Sequence, residues 1–288
     1  SDCYDLSINE VHDMIVCDGE PGALRVSGTR FDISYNENGL WNDPDTEMGL
    51  QIASDGTDWV DVTDPGLPYA VTMYSHTIDP DGDDSWDTYL YSDGGGGELD
   101  DLVPDCANAV EVGDVIGVIH EYTLDHTHIL KTELWKRDEQ IMRVWYEVTN
   151  ISDTVIGWPA INTMWDPDID YDLHGATDTT FGLTSDSRYL TAFGPDSGWS
   201  LSVGICDNVG NVRGWEWPSG SGTTDPPSYE TACDPSGLTD DLLMGWTSGD
   251  FYLDAHESWE DGFIVTTSAG SWDALGAFLA YSTVGPDL

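Results

Sequence analysis

The chain has 288 residues, with 55 Asp and Glu against 8 Lys and Arg, a formal charge of −47. Such a surface excludes nucleic acid and anionic membranes as partners, because both carry the same sign of charge. No apolar run approaches the 18 residues of a membrane span, and 39% hydrophobic residues with 13 Trp and 13 Tyr are enough for a large folded core.

Strand-like segments run the length of the chain, separated by Gly, Asp, Asn and Pro. Residues 23–35 alternate apolar and polar, with Leu24 and Val26, then Phe31, Ile33 and Tyr35. Segments 48–53 and 69–75 read as further strands. The clearest block is a predicted antiparallel meander of 115–124, 129–136 and 141–149, in which Met142, Val144, Tyr146 and Val148 share one face and Ile141, Arg143, Trp145 and Glu147 the other. Strands are also expected at 158–165, 179–184, 188–193, 199–205, 242–246, 251–253, 262–268 and 275–282. No helix is expected. The fold class is therefore all-β, a large antiparallel β-sandwich. Residues 1–22 form an N-terminal extension, able to act as an assembly strand, and 23–288 form one domain.

The acid is 41 Asp and 14 Glu, a bias toward the residue of turns and metal loops. Asp79, Asp81, Asp83, Asp84 and Asp87 lie in IDPDGDDSWD, where alternate carboxylates around a Gly turn can converge on a hard cation. Leu90 stands where an EF-hand would carry its bidentate Glu, so this is not an EF-hand. Asp166, Asp168, Asp170 and Asp172 form a second alternating set, whose carboxylates would share one face of a strand and repel without a cation. Asp43, Asp45 and Glu47 form a weaker third. The implied cofactor is Ca2+; the competing reading is a solvated acidic surface.

Five cysteines, Cys3, Cys17, Cys106, Cys206 and Cys233, show no zinc spacing, and disulfides are expected. The nearest pairings are Cys206 with Cys233 and Cys3 with Cys17, which leaves Cys106 over. The chain opens at Ser1 without an initiator Met, as a mature secreted chain does. Asn150-Ile151-Ser152 matches a glycosylation sequon. Trp158, Trp165, Trp199, Trp215 and Trp217 are candidates for stacking on sugars, set against core packing. Trp215 and Trp217 lead, beside a Gly/Ser/Pro-rich loop.

Three features in order resemble the galactose-mutarotase-like β-supersandwich of large secreted bacterial surface proteins. They are a strand with a Gly turn and a GxP segment (Gly39, Gly49, Pro65-Gly66-Leu67-Pro68), the meander ending in Val148-Thr149-Asn150-Ile151-Ser152-Asp153, and Asp166-Pro167-Asp168 before a Thr-rich strand. The resemblance covers about residues 23–285 and implies a His acid and a Glu base in the concave sheet. His120, His126 and His128, with Glu133 and Glu257, lie near the right meander, but none aligns with the family's catalytic motif. The reading is a non-catalytic extracellular structural protein, a calcium-stabilised subunit of a homo-oligomer or filament. The alternative is a domain that binds or processes an extracellular glycan.

Overall fold

A computed structural model gives the placement of residues 11–12, 14–41, 49–53, 59–61, 70–79, 87–92, 100–165, 167, 169, 179–183, 189–194, 198–205, 211–216, 232–233, 239–240, 242–248 and 252–269. β1 (Leu24–Ser27), β2 (Phe31–Tyr35), β3 (Leu50–Ala53) and β4 (Trp59–Asp61) form a four-stranded antiparallel sheet. β5 (Ala70–Ile78), β6 (Asp87–Ser92) and β7 (Asp100–Asp101) begin an eight-stranded sheet. β8 (Cys106–Val112), β9 (Val115–Thr123), β10 (Thr127–Lys136) and β11 (Ile141–Asn150) run as a meander in a nine-stranded sheet, and β12 (Ile156–Trp165) crosses back beside β5. β13 (Thr179–Leu183), β14 (Tyr189–Phe193) and β15 (Trp199–Gly204) belong to the nine-stranded sheet. β16 (Asn211–Glu216) and β17 (Ala232–Cys233) join the eight-stranded one. β18 (Thr239–Asp240) edges the nine-stranded sheet, and β19 (Leu242–Thr247) and β20 (Tyr252–Leu253) pair with β12. β21 (Ser258–Ala269) fills the centre of the nine-stranded sheet between β11 and β15. Among the described residues only a helical turn at 11–12 departs from this all-β pattern.

The two large sheets pack face to face through period-two side chains. Met142, Val144, Tyr146 and Val148 are all buried on one face of β11, as the alternation required. Tyr146 stacks on Trp246 of the opposite sheet with ring centroids 5.9 Å apart, and Trp165 stacks on Phe263 at 5.7 Å. The other face of β11 is covered as well. Arg143 lies over the Trp145 ring at 4.2 Å, and the Trp145 indole N–H donates to Glu260 at 3.1 Å, so the two shield one another.

The four-stranded sheet closes the core. Phe31 meets Trp135 of β10 edge-on at 6.3 Å, and every residue of β2 is buried. Asp32, on its far side, accepts from Arg25 Nε at 3.1 Å, from the other Arg25 nitrogen at 2.7 Å and from Ser27 Oγ at 2.8 Å.

The expected cysteine pairing is corrected here. Cys17 bonds Cys106, across 89 residues, not Cys3, and Cys106 is not the unpaired residue. The cause is tertiary: Val11 and Ile15 pack on Val115 and Leu134, and Asp18 N–H donates to Asn108, which lays Cys17 on the start of β8. Residues 11–18 are thereby fastened to their own domain. The N-terminal residues 1–10, Cys3, Cys206 and the 275–282 segment lie outside the described residues. Cys233 sits in β17, its side chain undescribed.

Candidate functional site

The meander places a polar row on the inner face of the nine-stranded sheet. His120 of β9 stands opposite Lys131 of β10, Lys131 opposite Tyr146 of β11, and Tyr146 opposite Asp261 of β21. Glu133 follows two residues along β10 on the same face, and all five side chains are buried. Lys131 is one of two lysines in the chain, so placing it in the core is a costly use of a scarce cation. Its Nζ lies 2.7 Å from Glu133 Oε1 and donates to the Gly39 carbonyl at 3.1 Å. Burial pulls the Lys131 pKa down, but the Glu133 charge, helped by Tyr146 and Tyr122, more than reverses it and raises it above its ordinary value. Lys131 is therefore a fixed ammonium.

Glu133 Oε2 accepts from the Tyr35 hydroxyl and, at 2.9 Å, from the Trp41 indole N–H. Burial first, then the Glu133 charge, pushes the Tyr35 pKa well above its ordinary value, so the phenol keeps its proton. Both donors come from the four-stranded sheet and the turn after it. In that turn Asn36 Oδ1 accepts from the N–H groups of Asn38 and Leu40, each at 3.0 Å. Gly39 there has a φ of +81°, and a Cβ on it would lie 2.8 Å from both His120 Cδ2 and the Tyr122 hydroxyl. Glycine is required twice over, by backbone angle and by contact.

His120 faces this turn with both ring nitrogens buried and lacking hydrogen-bond partners. Burial, then the Lys131 charge, holds its pKa well below 6.5, so the imidazole is neutral. Among the described residues the space left over here is small. One cavity of about 10 Å³ is lined by Trp41, Lys131, Glu133 and Trp165, and a second of about 10 Å³ by Tyr74, Tyr122 and Tyr146. Each is at the lower limit for one water.

The other candidates are dispersed. His128 Nε2 lies 2.6 Å from Glu121 Oε1 among partly buried side chains. Glu257 accepts from the Asp254 N–H at 3.2 Å in the turn before β21. His126 packs edge-on against His76 of β5 at 5.7 Å. The structure thus brings His120 and Glu133 to one face but not His126, His128 or Glu257.

Asp79 and Asp87 stand at the two ends of the β5–β6 hairpin, with Ile78 opposite Asp87. Asp81, Asp83, Asp84, Asp166, Asp168, Asp170 and Asp172 lie outside the described residues, as do Asp43, Asp45 and Glu47. Between the second set's aspartates, Ile169 N–H donates to the Pro167 carbonyl at 2.8 Å, a tight turn. Among the described residues one group of three possible ligands converges, Cys17, Cys106 and Glu121, and the disulfide removes both sulfurs from metal binding.

Of the tryptophans, Trp165 is core, Trp199 is partly buried and Trp158 is exposed. Trp215 lies in β16 with its side chain undescribed, and Trp217 is outside the described residues. The sequon is occupied internally: the Asn150 amide donates to the carbonyls of Thr154, Leu253 and Asp254 and accepts from Ser152. It is a structural hub.

No protein-family model matches the chain, and no curated protein does. Among solved structures it is similar to a polysaccharide lyase, at 11% identity over 92% of this chain and 35% of that one, TM-score 0.49. It is also similar to a heparan sulfate lyase from Pedobacter heparinus, at 8% identity over 89% of this chain and 37% of that one, TM-score 0.46. A third is a protein from Escherichia coli K12 described as an aldose 1-epimerase, at 9% identity over 85% of this chain and 98% of that one, TM-score 0.47. The chain spans 35% and 37% of the lengths of the two lyases.

Proposed function

We propose that this is a non-catalytic extracellular β-sandwich, a structural module whose acidic β5–β6 loop takes Ca2+. One observation carries the first half. Glu133, the carboxylate best placed to act as a base beside His120, is held by Lys131, Tyr35 and Trp41 beneath a turn, and the cavity beside it among the described residues is about 10 Å³. A general base must reach its substrate's proton at hydrogen-bond distance, directly or through one water. Here the donors that would compete with that proton belong to the fold. The arrangement instead locks the four-stranded sheet onto the nine-stranded one, a specificity role for a buried ion pair. The Cys17–Cys106 disulfide supports an oxidising compartment. The Asp-rich hairpin loop between Asp79 and Asp87 supports the cation, oxygen ligands being what Ca2+ prefers.

The test is turnover. The protein at micromolar concentration is incubated with uronate-containing polysaccharides, followed by absorbance of unsaturated products, and with α-glucose and α-galactose, followed by optical rotation. The expected outcome is no rate above the buffer control. A rate that His120→Asn or Glu133→Gln abolished, with the fold intact by circular dichroism, would overturn the reading.

A further inference from the structure

Among the described side chains the exposed aromatic ones are Trp158 and Tyr252, 44% and 56% accessible, and they are neighbours, with ring centroids 5.4 Å apart and planes tilted by 58°. Their placement is built, not incidental. Gly157 of β12 pairs with Tyr252 on one side and with Thr77 of β5 on the other, so the residue opposite Tyr252 carries no side chain. Immediately after it the register breaks between Gly157 and Ala160, and within that bulge Trp158 takes a φ of +45°. A bulky residue at positive φ is strained, and bulges re-aim side chains at functional positions. Here the strain turns an indole outward, where burial returns little for it. Among the described residues the other non-glycine at positive φ is His256, at 65°, in the turn that follows Tyr252.

The surroundings hold the pair still. Thr77 Oγ1 donates to the Gly157 carbonyl at 2.9 Å, and the Asn150 amide clamps Thr154, Leu253 and Asp254 at 2.7, 3.1 and 3.0 Å. Rings fixed before binding lose little conformational freedom when a ligand arrives. The rim is polar: exposed Thr88 opposite Thr77, and His256 with its Nε2 3.2 Å from Asp153.

We infer that Trp158 and Tyr252 form a carbohydrate subsite, one aromatic face stacking on the C–H face of a pyranose while the second ring flanks it. The ligand class is a neutral glycan. The net charge of −47 disfavours uronate or sulfated chains, and it disfavours a second copy of this chain. The subsite is on the outer face of the eight-stranded sheet, whereas Glu133 is on the inner face of the nine-stranded one, and it stands whether or not that inner site is catalytic.

The test is affinity electrophoresis through gels containing neutral polysaccharides (a β-glucan, a xylan, a galactomannan) or anionic ones (alginate, heparin), with melting and sedimentation run in parallel. Wild type is expected to be retarded by at least one neutral polymer and by neither anionic one. Trp158→Gly and Tyr252→Ala should weaken that retardation at least tenfold, whereas Val112→Ala, at an exposed apolar residue of β8 in the other large sheet, should leave it unchanged. Glycine adopts φ near +45° without strain, so Trp158→Gly should melt at or above the wild-type temperature. Absence of retardation by every neutral polymer would overturn the inference, as would retardation that survives Trp158→Gly. So would a lower melting temperature for Trp158→Gly, which would make the indole a packing group. A change from oligomer to monomer in that variant would mark a contact between chains instead.

Discussion

His76 lies on the inner face of β5, its ring 5.7 Å from His126 and 5.4 Å from Tyr74. Burial, and then the nearby His126, lower its pKa from 6.5 to about 4, Asp125 opposing them. The sign follows by linkage. Between pH 6.5 and about 4 the unfolded chain binds a proton at this position and the folded chain does not, so protonation favours unfolding and stability falls with pH across that window. The shift corresponds to roughly 3 kcal/mol at the acid end. Carboxylates protonated in the same range relieve self-repulsion and act the other way, so the quantity to measure is a difference. Urea titrations of wild type and His76→Gln from pH 8 to 4 should show a constant gap above pH 7. Below that the wild type should lose stability relative to the variant, by about 2–3 kcal/mol at pH 4. A gap independent of pH would mean that His76 titrates normally. Lys131, not singled out from the sequence, was nonetheless legible there. It shares a face with Ile129, Glu133 and Trp135 in a strand of plain period two, which predicts a buried ammonium and hence a buried partner. Tyr35 and Trp41 were not, because 92 residues separate Trp41 from the Glu133 it donates to.

At the scale of elements, segments with strict alternation were placed within one or two residues. The meander of β9, β10 and β11 and the strands at β14, β15 and β19 are examples. The strands that sequence missed have weak local signals. β6 begins at Asp87 inside an acidic run that reads as loop, β8 and β16 were missed although they have seven and six residues, and β4, β7, β17 and β18 have two or three residues each. Sheet pairing, not local preference, makes them strands. The disulfide shows the same limit. Pairing nearest cysteines minimises loop-closure entropy, but the fold overrules it by packing Val11 and Ile15 on Val115 and Leu134. The longer loop also makes the bond more valuable: closing 89 residues stabilises by about 4–5 kcal/mol on the chain-entropy model. The double variant Cys17→Ser, Cys106→Ser should therefore lower the unfolding free energy by several kcal/mol in guanidinium titrations. The fluorescence maximum of the buried tryptophans at low denaturant should not change. A loss below about 1 kcal/mol would show that residues 11–18 stay docked without the bond.

For the whole molecule the dominant fact is the net charge of −47 that remains after the eight basic residues are counted, and of these Lys131 is already committed to the core. Folding concentrates that charge, so cations must favour the folded state, either by diffuse screening or by binding at the acidic loops. The two mechanisms separate at constant ionic strength. Screening depends on ionic strength, with a Debye length of about 8 Å at 0.15 M, and does not distinguish Ca2+ from Na+ once that is matched. Site binding does, adding about 2.7 kcal/mol at 100 times the dissociation constant. For a chain of this size that is a rise of about 5–10 °C in melting temperature. We expect this excess with Ca2+ over NaCl of equal ionic strength, reversed by EDTA. Asp79→Asn with Asp87→Asn, at the two ends of the β5–β6 loop, should remove a large part of it while leaving the NaCl response unchanged. Melting curves that depend on ionic strength alone, whichever cation supplies it, would assign the acidity to solvation of the surface and remove Ca2+ from the account of this fold.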